Sequence, residues 1–130
     1  MDYSKMSDFE INCAVARAAG IDGMMFFDVD SSFCHGPVWN VPSGITEDGI
    51  NISRGNPFTP CTTAADAWPI ILEHGISVAF DKNEDEWVAW GDFAFDLAGW
   101  DMKEQPAEYE HHVNPLRAAM LVFLMMQEAK

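Results

Sequence analysis

The apolar positions change period along the chain, and each change marks an element. From Ser7 to Gly20 they recur about every 3.6 residues, at Phe9, Cys13, Val15, Ala16 and Ala19, widened by Ile11. Ser7 and Glu10 stand three apart at the head of this run, the spacing at which each side chain satisfies the other's free backbone N–H. Gly20 supplies the left-handed residue that ends a helix, so residues 8–19 are predicted helical. Residues 24–29 read as a short strand. Residues 30–60 keep no clear period and carry Gly36, Pro37, Pro42, Gly44, Gly49, Gly55, Pro57 and Pro60. A long irregular segment is predicted there, with short strands near 38–41 and 50–53. A loop of that length in a small protein usually serves function.

The helical period returns after residue 62. Thr62 or Thr63 caps a second helix, and Asp66 favours its positive end. Ala64, Ala67, Trp68, Ile71 and Leu72 form its apolar face, which makes Trp68 a core residue. Pro69 interrupts the run, His74 suits the negative end, and Gly75 closes it. Strict alternation follows: Ile76, Val78 and Phe80, a charged turn over 81–86, then Trp87, Ala89, Gly91 and Phe93 against Val88, Trp90 and Asp92. This is a hairpin with aromatic residues on both faces. Residues 96–112 are acidic and predicted irregular.

Asn114 and Pro115 open the last helix as cap and first helical residue. Residues 116–127 are apolar almost all round, so this helix needs cover on more than one side. One sheet face covers one side, and a second copy of the chain is expected to cover the other. The predicted architecture is α/β in the α+β sense: a small antiparallel sheet packed by three helices, as one domain over 1–130.

Charge narrows the function. The 130 residues include 21 Asp and Glu against seven Lys and Arg, a net charge of −14. Such a surface repels polyanions, which excludes non-specific nucleic-acid binding and disfavours anionic membranes. The longest apolar stretch, 118–126, is far short of the ~20 residues that span a bilayer. The polar opening MDYSKMSDFE reads as no secretory leader. Cys13, Cys34 and Cys61 are odd in number and form no CxxC pair, so free thiols in a reducing cytoplasm are expected.

Candidate chemistry is sparse. Cys34 with His35, and His111 with His112, have no zinc-motif spacing, and adjacent residues on a strand point apart. Asp28 and Asp30 flank Val29 as a half-exposed strand also would. No Walker loop, G-x-S-x-G or recognisable Cys/His pair occurs. Carboxylate pairs such as Glu108 and Glu110 carry little weight in so acidic a chain. No metal, cofactor or catalytic activity is expected. Arg117 is more informative. It is a cation in the first turn of a helix, where the dipole disfavours it, and an anion beside it removes that cost. Either a ligand phosphate or an acid such as Glu108 or Glu110 meets that need.

Three blocks support a resemblance: YSKMSDFEIN at the start, FTPC with ADAWPII in the middle, and NPLRAAM running to Met126 and Gln127. In these blocks the chain resembles the NinX family of lambdoid bacteriophages. The order of elements, with Trp68 in the second helix, tryptophans in the hairpin and Pro-Leu-Arg-Ala-Ala opening the last helix, is also similar to a phage α-β-α sandwich domain. That domain resembles sponge proteins that sequester the cyclic ADP-ribose signal of Thoeris immunity. The likeness implies an oligomer that holds a nucleotide between subunits without cleaving it, with Arg117 as the ligand-binding arginine.

The resulting expectation is a phage accessory protein in the cytoplasm of the infected bacterium that counters host defence by sequestering a nucleotide signal. Arg117 and the helix start at Asn114 would meet phosphate, and Trp90, Trp39 or Phe58 would stack on base. The alternative is an acidic inhibitor that mimics nucleic acid and blocks a host nuclease or CRISPR complex, using residues 81–86 and 92–110. A structural or regulatory phage protein is the blander third reading.

Overall fold

The structure, a computed structural model, describes residues 3–91, 95–96, 101–102 and 109–129. The chain divides into two compact units, Met1–Thr59 and Pro60–Lys130. The α+β class read from the sequence is the class observed. Among the described residues, three α-helices accompany two three-stranded antiparallel sheets and one two-stranded pair. None of these helices is long and apolar enough to cross a membrane.

The first unit opens with α1 (Asp8–Ala18). Its capping box is complete: the Glu10 N–H donates to Ser7 Oγ at 3.1 Å, and the Ser7 N–H donates to Glu10 Oε1 at 3.3 Å. Gly20, at φ 77°, ends the helix. Its N–H donates to the Arg17 carbonyl and that of Ile21 to the Ala16 carbonyl, both at 3.1 Å. Ile11, Cys13, Val15 and Ala16 are buried, and so is Asn12, whose Nδ2 donates to the His35 carbonyl at 2.7 Å. Of the strand predicted over 24–29, only β1 (Met25–Phe26) forms, after a short 3-10 turn over Asp22–Met24.

Residues 30–60 correct the expectation of a long irregular segment. β2 (Val38–Thr46) and β3 (Gly49–Pro57) form a hairpin of two nine-residue strands, and the short strands predicted at 38–41 and 50–53 lie inside it. Glycine and proline read as breakers in sequence. Here register shifts between Val38 and Asn40 and between Pro42 and Gly44 absorb them. β1 pairs only with Val38 and Trp39, so it reaches no further along β2.

In the second unit, α2 (Ala64–His74) starts at Thr63 and ends at Gly75, which takes φ 63°. Pro69 sits inside it without ending it. Gly75 leads into β4 (Ser77–Asp81) and β5 (Glu86–Trp90), joined by the acidic turn. In that turn the Asn83 N–H donates to Asp81 Oδ1 at 3.0 Å, and Asp85 adopts φ 54°. β6 (Phe95–Asp96) and β7 (Asp101–Met102) pair with each other. Residues 109–112, predicted irregular, are instead strand β8 (Tyr109–His112) on the open edge of β5. An edge strand exposed on alternate residues tolerates the polar side chains that hid it.

α3 (Pro115–Glu128) completes the unit. Asn114 caps it, its Oδ1 accepting from the Leu116 N–H at 3.0 Å and the Arg117 N–H at 3.4 Å. Nine of its 14 residues are buried. It packs against α2, β4, β5 and β8, and the His74 ring lies 4.8 Å from that of Phe123. The apolar helix therefore finds cover within a single chain, on α2 and three strands.

Candidate functional site

The residues expected to form a ligand site divide between the two units. In the first unit, Trp39 and Phe58 meet edge to face at 5.8 Å. Phe58 is only 3% exposed, and its N–H donates to the Pro37 carbonyl, so its ring is core rather than a stacking platform. In the second unit, Arg117 is buried in the first turn of α3. Asn114 is occupied structurally: beside its capping bonds, its Nδ2 donates to the Cys61 carbonyl at 2.7 Å. Trp90 is half-buried on β5, opposite Ser77 on one side and Tyr109 on the other. Of the two acids named as alternatives to a ligand phosphate beside Arg117, Glu110 is half-buried on β8, and Glu108 lies outside the described residues, as does most of the acidic segment 92–110.

The phase of α2 is a second correction. Its buried residues are Ala67, Ile70 and Ile71, and the Trp68 expected in the core is 56% exposed. Leu72, one turn further, is 64% exposed. Residues 67–72 are apolar throughout, so periodicity alone permits two faces. Small Ala67 suits close packing of α2 on α3, and Trp68 is left on the outer side. Trp68 and Leu72 border an open groove of about 350 Å³, completed by Ile71, Gly75, Ile76, Ser77 and Val78. The exposed Glu73 follows Leu72, and β4 runs from the groove to the acidic turn, where Glu84 and Asp85 are exposed. The sequence carried one signal for this face: a second apolar stripe on a helix that needs only one.

The suspected metal positions do not converge. Among the described residues, no three His, Cys, Asp or Glu side chains come together as a metal site. His112 Nδ1 accepts from the Asn114 N–H at 2.9 Å. The Ser32 hydroxyl and N–H donate to Asp30 Oδ1 at 2.7 and 2.9 Å and hold that carboxyl below its ordinary pKa.

None of the three cysteines forms a disulfide. Cys13 and Cys61 are buried, and burial raises the pKa of the Cys13 thiol, helped by Glu10 and opposed by Arg17. Cys34 is partly exposed. Alkylation of the folded protein near neutral pH should therefore label Cys34 first, at least ~10-fold faster than the other two. Peptide mass spectrometry of a time course checks this, and equal labelling of the three thiols would refute it.

The family model described as Bacteriophage P22, NinX matches residues 2–127. Comparison with curated proteins and with solved structures gave no match.

Proposed function

The chain belongs to this bacteriophage P22 NinX family, and from that premise we propose that the phage accessory protein counters host defence by binding a basic host protein, without catalysis. The supporting observation is the outer face of α2, where Trp68 and Leu72 stand exposed beside one apolar groove. Scattered exposed apolar residues are ordinary, but a tryptophan and a leucine bordering the same groove have the character of an interface anchor. The unit that bears them carries 13 Asp and Glu against four Lys and Arg. An apolar anchor within an acidic surface suits a partner whose basic groove normally receives nucleic acid, such as a nuclease or CRISPR complex. Opposite charge then supplies fast encounter, and the anchor supplies residence time.

Sequestration of a nucleotide signal is the competing reading. Of its expected contacts, Phe58 lies in the core and Asn114 is spent on capping, which leaves Arg117, Trp90 and the half-buried Trp39. The two readings separate in one pair of measurements. Immobilised protein should retain a basic host protein from lysate, and about 0.5 M salt should release much of it. Trp68→Ala should weaken that complex ~30-fold or more, the effect of removing a hot-spot aromatic, while the melting temperature stays unchanged. Heat of binding with cyclic ADP-ribose isomers or cyclic oligonucleotides, together with no salt-sensitive protein on the beads, would overturn the proposal.

A further inference from the structure

The β2–β3 hairpin is amphipathic, and its apolar face is open. On β3, Ile50, Ile52 and Arg54 alternate onto one face; across the ladder they oppose Ile45, Pro42 and Asn40 of β2. The three isoleucines, Ile45, Ile50 and Ile52, are 87%, 62% and 56% exposed. The other face carries Gly44, Asn51 and Ser53 with Val41. One side of the ribbon is thus a continuous apolar stripe facing water, in a type of element that is marginal without a covered face.

Charge identifies the occupant. Residues 31–46 and 49–53 contain no Asp, Glu, Lys or Arg, although the chain as a whole carries −14. A basic partner is drawn to acidic surface, whereas an uncharged stripe on an acidic molecule suits a like stripe. The charges that remain lie at opposite ends of the ribbon. Glu47 and Asp48 form the turn, and Arg54 lies at the base on the isoleucine face. The Arg54 guanidinium is placed there by its Nη2 donating to the Asp28 carbonyl at 3.1 Å, with Cζ 5.6 Å from the Phe26 ring centre.

We propose that the isoleucine face of this hairpin binds the same face of a second copy, with the two ribbons antiparallel about a two-fold axis. Five residue steps separate Gly49 from Arg54, ~17 Å at strand rise. In the antiparallel arrangement the isoleucines meet at the centre, and each Arg54 comes over the acidic turn of the other copy. The contact is isologous and closes on itself, so assembly stops at two. The dimer does not depend on the host-protein reading, because it is argued from β2 and β3 and uses no residue of α2.

Sedimentation of the full chain over ~1–100 µM tests this. Wild type should show a monomer–dimer equilibrium within that range. Ile50→Lys should weaken the dimer ~30-fold or more and leave circular dichroism and melting unchanged, since the side chain is exposed in the monomer. Arg54→Glu should weaken it ~10-fold, and adding Glu47→Arg with Asp48→Arg should restore it. Trp68→Ala should not affect it. A wild-type monomer at ~100 µM, or a dimer that survives Ile50→Lys, would overturn the proposal. Failure of the charge exchange to restore the Arg54→Glu dimer would overturn the antiparallel arrangement.

Discussion

Replacing Phe123 by alanine should destabilise the second unit by about 3–5 kcal/mol. The ring is completely buried at the centre of α3, where Met120, Leu121 and Val122 are also closed to water. It lies against the His74 ring of α2, and α3 packs on three strands as well. Truncation removes the transfer energy of the ring and leaves a void lined by groups that cannot all close in. Hydrogen exchange of α3 and β5 peptides gives the opening free energy directly, and protection there should fall by several powers of ten. The contrast is Trp68→Ala, the loss of a larger ring at an exposed position, which should change stability by no more than about 0.5 kcal/mol. Comparable losses for the two variants would contradict the observed phase of α2.

Gly36→Ala should destabilise the first unit by about 3 kcal/mol. A methyl group at Gly36 would fall on the Phe58 carbonyl oxygen, with the Phe58 carbonyl carbon at 3.0 Å and Asn12 Cβ at 3.2 Å. The obstacle is backbone, and neighbouring bonds hold it in place. The Phe58 N–H donates to the Pro37 carbonyl at 2.6 Å, and Asn12 Nδ2 donates to the His35 carbonyl at 2.7 Å. Residues 35–37 are thus clamped between α1 and the end of β3, and relieving the clash means breaking one of those bonds. Gly44→Ala is the control, because a Cβ there meets open space. Denaturation followed at α1 should separate the two, and a Gly36→Ala protein as stable as Gly44→Ala would refute the clamp.

What could be read in advance follows from how local each cause is. The α1 cap and its glycine stop, the Asn114 cap and the β4–β5 hairpin rest on residues within a few positions of one another, and they form as expected. The phase of α2 is not local. Its apolar run over 67–72 permits two faces, and packing against α3 selects one. The β2–β3 ribbon was hidden because Pro42, Gly44 and Gly55 argue against a strand until a partner with shifted register accommodates them. The same limit applied to the candidate site. Phe58 and Asn114 have residue types suited to a ligand, but the fold spends one on the core and the other on a helix start.

Pro42 has a consequence for how the protein behaves when crowded. Beyond Trp39, no described strand lies alongside the outer edge of β2. A bare edge on an apolar ribbon is the template from which cross-β aggregates grow. Proline offers no N–H to an incoming strand, and the shift in register between Pro42 and Gly44 bends the backbone away from a flat path. Features that disguised this ribbon in the sequence thus also make the outer edge of β2 a poor template for fibrils.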